Sequence, residues 1–149
     1  MTRQGIGFIG SMIVDVVTGV LEPGNLVYSD GARYLTGDDY EAEDIQYGIG
    51  GLAANNSVNL GRIGADYPIV AIGKIGADEN GRRIRETLAA DGISDTHVIE
   101  TADHPTSTTQ VIYLRDSSGG INRTFRHSFG AMGDFKPEEV DIDLLAGMN

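Results

Sequence analysis

The chain has no cysteine, half as many basic as acidic residues and no long apolar run, and each shortage narrows what it can be. Without cysteine there is no disulfide, no thiolate metal ligand and no cysteine nucleophile, which fits a reducing compartment. Lys and Arg number 11 against 22 Asp and Glu, a formal net charge of -11. An acidic surface of that size opposes nucleic acid and anionic membrane as principal partners, so neither is expected. An anionic ligand would need local positive character, from an Arg or Lys or from a helix N-terminus. No apolar run approaches the roughly 20 residues that span a bilayer. The N-terminus lacks the basic region and apolar core of a signal peptide, so the expected location is the cytoplasm. Neither repeat, linker nor low-complexity tract stands out. His97, His104 and His127 have no ligand-like spacing with one another or with carboxylates, so no metal is expected. No Ser-His-Asp arrangement is legible.

What is present is enough for one domain: 149 residues, of which 40% are hydrophobic. The short apolar segment 5–10, bounded by glycines, predicts a buried first strand, and the β-branched segment 11–20 predicts another. Segment 21–40, rich in Gly, Asp and Tyr, is either a loop or an irregular hairpin, and 44–48 reads as a returning strand. A small-residue helix is predicted over 51–64, with Ala54, Val58 and Gly61 on one stripe that permits close packing on a sheet. A buried strand follows at 68–73. Asp78 is placed as the N-cap of a helix running to Asp91, with Ile84 and Leu88 facing inward and Gly92 as its stop. A short strand over 97–100 precedes a hairpin of 107–115 and 121–127, joined by Asp116-Ser117-Ser118-Gly119-Gly120. Pro137 starts a last helix, with Glu138 and Glu139 in its first turn. Strand, helix, strand, helix, strand in this order predicts a parallel α/β sheet with right-handed crossovers. Segments 13–48 and 107–127 form a β-rich appendage to it.

Several short patterns fail on their context. Gly48, Gly50 and Ala53 satisfy G-x-G-x-x-A, but the acidic residue expected after the next strand is absent: Asp66 precedes that strand and Lys74 follows it. Gly73-Lys74 lacks both the upstream glycine and the following Ser or Thr of a phosphate-binding loop. The acidic run Asp38, Asp39, Glu41, Glu43 and Asp44 has the chemistry to bind a cation but reads as a solvated loop. The triplets Asn55-Asn56-Ser57 and Asn122-Arg123-Thr124 read as chance occurrences of the glycosylation pattern.

What stands out is Gly50-Gly51 with Asn55 at the start of a helix, and Asp15 just after the first strand. Glycines let a ligand approach main-chain N–H groups with no Cβ in the way. Asn55 offers both donors and acceptors, and Asp15 can accept two hydroxyl hydrogen bonds. Together they suit a polyhydroxylated ligand. The competing reading has Gly50-Gly51 serving tight helix packing and Asp15 facing solvent. Chemistry alone leaves both open.

At this point the sequence resembles the amino-terminal half of the ribokinase-like (PfkB-type) carbohydrate kinases, over nearly its whole length. Gly10-Ser11 with Asp15 matches the family's opening strand and sugar-binding Asp. Gly50-Gly51-x-Ala53-Ala54-Asn55 is similar to its first signature, with Gly61 and Gly64 where that pattern continues. Gly76-Ala77-Asp78-Glu79-Asn80-Gly81 is similar to its G-x-D-x-x-G segment. Thr106 to Thr109, Arg123-Thr124-Phe125 and Gly130-Ala131 follow its hairpin and the small-residue turn after it. Three positions depart: Ile13 where some members carry asparagine, Leu52 for a common lysine, and Met132 for the usual asparagine. The first two point away from ribose, toward another sugar or a nucleoside.

The resemblance implies a three-layer, Rossmann-like parallel sheet flanked by helices, with 13–48 and 107–127 as a β-sheet lid that in some members makes a homodimer contact. It implies that Asp15, Gly50, Gly51 and Asn55 bind sugar hydroxyls and that Tyr113 lines the pocket. It implies ATP-dependent phosphoryl transfer to a sugar or nucleoside hydroxyl, with ATP and Mg in the complete enzyme. The family's second signature, with its catalytic Asp and glycine-rich anion hole, is not found before Asn149. The expectation is therefore that the carboxy-terminal half is missing and that these 149 residues bind sugar weakly and transfer no phosphate. A non-catalytic sugar- or nucleoside-binding module of half length is the alternative, and a dimerisation unit built on the lid strands a third.

Overall fold

A computed structural model describes residues 5–21, 26–29, 32–35 and 45–148. It divides into two compact units. The first comprises Met1–Val14, Ile49–Thr108 and Ser128–Asn149, and the second comprises Asp15–Gly48 and Thr109–His127.

The first unit is built on three parallel strands: β1 (Ile6–Ile9), β6 (Ile69–Gly76) and β7 (Ser94–Thr101), with β6 in the middle. Ile6 pairs with Ile69 and Ile9 with Ile72, and on the other side Ile72 pairs with His97 and Gly76 with Thr101. All eight residues of β6 are buried, as a central parallel strand covered on both faces must be. Successive side chains point to opposite faces. Ile75 lies on the side of α2 (Glu79–Ala90), against Gly81, while Lys74 reaches Asp134 and Glu139 on the other side. Helix α1 (Leu52–Arg62) packs on β1 and β6, and α2 packs on β6 and β7 and against α1. The predicted parallel α/β sheet flanked by helices is the fold observed.

The helices follow local chemistry. Asp78 caps α2, its Oδ1 accepting from the Gly81 N–H at 2.9 Å. Ile84 and Leu88 are fully buried, and burial of such side chains contributes about 1.5–3 kcal/mol each. Gly92, at φ +72°, ends the element in the left-handed region. In α1 the small residues face inward: Ala53, Ala54, Ser57 and Val58 are buried. Gly61 packs elsewhere than on the sheet, since a Cβ there would lie 2.7 Å from the Asp91 carbonyl in the turn after α2.

Boundaries differ from the sequence reading where packing or pairing extends an element. The strand predicted at 68–73 runs on to Gly76, because β7 continues to pair with it. The strand predicted at 97–100 occupies Ser94–Thr101 for the same reason. The last helix is a correction. Pro137 opens only a 3-10 turn, Pro137–Glu139, which the extended backbone of Val140 ends. Asp141 then caps a separate short helix, α3 (Ile142–Gly147), by accepting from the Leu144 N–H.

In the second unit, strand β2 (Ile13–Leu21) lies between β5 (Gln46–Gly50) and β8 (Ser107–Arg115), and β9 (Ile121–Ser128) is the outer neighbour of β8. A small antiparallel hairpin, β3 (Leu26–Ser29) with β4 (Ala32–Leu35), settles the described part of 21–40 as hairpin rather than loop. The acidic run from Asp38 to Asp44 lies outside the described residues. The turn between β8 and β9 is organised by Asp116, whose Oδ1 accepts from the Ser118 and Gly120 N–H groups, both at 2.9 Å. Among the described residues no helix is long and apolar enough to cross a membrane.

Candidate functional site

The opening of α1 is where the sequence placed ligand-binding residues. Gly50 ends β5 and is buried, and Gly51 is the N-cap, at φ +88°. A Cβ on Gly51 would fall on the Ser11 carbonyl, so this position must be glycine for packing and conformation alike. The packing reading of Gly51 is thus sufficient by itself to explain the residue. Lacking a side chain, Gly51 cannot cap the helix that it starts. Ser11 does so from the connection between β1 and β2: its Oγ accepts from the Leu52 N–H at 2.9 Å and its carbonyl from the Ala53 N–H at 3.1 Å. Two of the amide donors that open α1 are therefore engaged within the protein.

Asn55 stands on the first turn of α1, exposed, its own N–H bonded to the Gly51 carbonyl at 2.9 Å. Among the described residues its side-chain amide is uncommitted, leaving two donors and an acceptor for solvent or ligand. Ser11, Gly50, Gly51 and Asn55 thus meet at one end of α1. Asp15 belongs to the second unit, as the third residue of β2, and is half-buried. Tyr113 lies on β8 in the same unit and is also half-buried.

A second cluster holds the G-x-D-x-x-G segment. Thr106 donates its hydroxyl to Asp78 Oδ1 at 2.6 Å and its N–H to Oδ2 at 2.8 Å, and its hydroxyl oxygen accepts from the Gly76 N–H at 2.9 Å. Burial by itself would push the Asp78 carboxyl up, but the bonds from the Thr106 hydroxyl, the Gly81 N–H and the Thr106 N–H together hold it below its ordinary value. Both glycines of the segment are packing positions: a Cβ on Gly76 would lie 2.5 Å from the Thr106 nitrogen, and one on Gly81 would fall on the Gly76 carbonyl. This segment is a lock between β6, α2 and the start of β8.

A third cluster went unseen in the sequence. Lys74, 5% exposed, donates to Glu139 Oε1 at 2.7 Å, Asp134 Oδ2 at 3.2 Å and the Asp134 carbonyl at 3.3 Å. The bond to Glu139 raises the lysine's pKa, and the bonds from Lys74 lower those of both carboxylates. The one available signal was a lysine inside an apolar run, which demands a partner. Ser107 adds a neighbouring tie, donating to the Phe129 carbonyl and accepting from the Met132 N–H at 3.3 Å.

The glycine-rich stretch of β6 is closed by protein, with a Cβ on Gly73 lying 2.8 Å from the Gly10 carbonyl. The buried cation beside it is spent on two carboxylates. Among the described residues no three His, Cys, Asp or Glu side chains gather as a metal site would require. His127 instead contacts the Thr109 hydroxyl at 3.0 Å through Nδ1 and stacks on Phe125.

The sequence pattern described as pfkB family carbohydrate kinase matches residues 8–146. The fold is similar to that of a fructokinase from Xylella fastidiosa solved with bound ATP, with a TM-score of 0.68 at 19% identity, over 97% of this chain and 40% of that one. It is similar to a ribokinase from Giardia lamblia, with a TM-score of 0.68 at 24% identity, over 97% of this chain and 39% of that one. An Arabidopsis thaliana ribokinase complexed with ribose and ATP matches with a TM-score of 0.63 at 21% identity, over 88% of this chain and 37% of that one. The chain spans about 40% of the length of the solved proteins it resembles.

Proposed function

Because this chain belongs to the pfkB family of carbohydrate kinases, we propose that it is the sugar-holding part of an enzyme that phosphorylates a sugar or sugar-like hydroxyl. The observation that carries this reading is the family match over 8–146, which includes all four residues assigned to the sugar. Asn55 would donate to and accept from sugar hydroxyls, with an amide that the helix opening presents and leaves uncommitted. Gly50 and Gly51 would let the sugar approach main chain. Asp15 would accept from two hydroxyls, a role that rests on the resemblance. Their combined work is to orient the hydroxyl that becomes phosphorylated.

ATP with Mg supplies the phosphoryl group in such an enzyme. The chain spans about 40% of the solved kinases it resembles, and on that resemblance we assign ATP, Mg and the base to the part of such an enzyme that it does not span. The homodimer through the lid strands is likewise a proposal, supported by the exposure of Ile121 and Phe125 on the outer strand β9. Sedimentation with and without Phe125→Glu tests it.

The test of the main reading is calorimetric titration of the 149 residues with fructose, ribose and adenosine. Weak binding of one of them, lost in Asp15→Ala and in Asn55→Ala, is the expected result, with no ADP formed from ATP. A folded chain that binds none of the three would overturn the sugar-holding role. Sugar-dependent ADP formation abolished by Asp15→Ala would overturn the division of labour.

A further inference from the structure

We propose that Ser11 is a positioning residue for the sugar: it caps α1 from 41 residues away and so fixes where Gly50, Gly51 and Asn55 stand. The inference rests on the sugar-holding role proposed above and adds a residue to it. Three observations carry it. First, the N-cap of α1 makes no side-chain cap bond, because it is Gly51. Most helices satisfy their first amides with the side chain of the N-cap residue itself. Here the positive φ and the nearness of the Ser11 carbonyl exclude any side chain there.

Second, Ser11 supplies what Gly51 cannot. Its hydroxyl takes the Leu52 N–H and its carbonyl the Ala53 N–H, so one residue satisfies two donors of the first turn. Third, Ser11 is itself held in place. A Cβ on Gly10 before it would stand at ordinary contact distance from Leu52 and Ala53, and Met12 after it is fully buried, 3.1 Å from where a Cβ on Gly73 of β6 would lie. The cap is thus anchored to the central strand rather than free to follow the helix. Since Asn55 is one turn from Leu52, loss of the hydroxyl bond would free the turn that carries the amide. Ser11 also leads within four residues of chain to Asp15, so its backbone and the sugar carboxylate share one segment.

The experiment compares Ser11→Ala, Ser11→Thr and Asn55→Ala with the parent 149-residue chain. Two readouts are taken: amide hydrogen exchange of Leu52 by NMR, and affinity for fructose and ribose. Ser11→Ala should speed Leu52 exchange and weaken sugar binding, each about fivefold to tenfold, as loss of a helix cap does. Exchange at Gly81 in α2 should not change, which separates a local effect from unfolding. Ser11→Thr keeps the hydroxyl and should restore both readouts. Unchanged Leu52 exchange in Ser11→Ala would overturn the cap. Faster exchange with unchanged affinity, while Asn55→Ala loses affinity, would overturn the positioning role alone. Absence of binding by the parent chain would overturn the sugar-holding role together with any part Ser11 has in it.

Discussion

Thr106 grips both oxygens of Asp78, its hydroxyl donating to Oδ1 at 2.6 Å and its N–H to Oδ2 at 2.8 Å. Asp78 thereby serves as the cap of α2 and as the tie from that helix to the start of β8. Thr106→Val keeps the shape and removes the hydroxyl from a buried site where it also serves the Gly76 N–H. Urea unfolding should show a loss of about 1–3 kcal/mol. A loss below a few tenths would mean that the hydroxyl bonds contribute nothing net.

The same contact sets a pH dependence. The Asp78 carboxyl sits below its ordinary value in the folded protein, so the folded state binds the proton less well than the unfolded chain. Its contribution is full at neutral pH and fades as pH falls through the ordinary value of 3.8 toward the lower folded one. The stability difference between the parent chain and Asp78→Asn should therefore shrink between pH 6 and pH 3, as followed by urea midpoints. A difference that is constant or grows on acidification would contradict this.

Lys74 is the shared partner of two carboxylates from the segment after the hairpin. Lys74→Met should raise the titration midpoints of Glu139 and Asp134 toward ordinary values and lower the melting temperature. Carboxyl carbon NMR titration reads the first effect directly. Midpoints that stay depressed would show that Lys74 is not what holds them down.

Gly51 and Gly64 both have positive φ, +88° and +78°, yet only Gly51 meets protein where a Cβ would go. Gly64→Ala should cost about 1 kcal/mol, from conformation alone. Gly51→Ala adds a collision with backbone and should cost more than the ~1–3 kcal/mol of strain alone. Equal costs in chemical denaturation would contradict the close approach of Ser11.

Ser57 is fully buried on α1, and among the described residues its hydroxyl has no hydrogen-bond partner. Ser57→Ala removes a desolvated polar group and substitutes a better helix former, so stability should rise by up to about 1 kcal/mol. A clear loss in urea unfolding would mean that the hydroxyl has a partner in solution.

Much of the fold was legible because its causes are local. Asp78 three residues before Gly81, the inward spacing of Ile84 and Leu88, and Gly92 after the last turn together define α2 within a dozen residues. The apolar run before Lys74 declares a buried strand, and the Asp116 turn declares a hairpin. The final segment was misread because Pro137 is a good first residue for a helix, while nothing near it shows that Val140 would be extended and Asp141 would start afresh. At the candidate site Asn55 was legible as an amide at a helix opening. The role of Ser11 was not, because its partner lies 41 residues away.

The sequence by itself determined the strand and helix order as far as the last hairpin, the Asp78 cap, the glycine turns and the family, since periodicity and neighbouring side chains set these over a few residues. Only the tertiary structure decided that Ser11 caps α1, that Lys74 meets Asp134 and Glu139 across 60 and 65 residues, and that Gly51 and Gly76 are glycine for packing. Those contacts depend on the register of β1, β6 and β7 and on how closely backbones approach. Such distances follow from the folded arrangement of the whole first unit and are written in no single stretch of it.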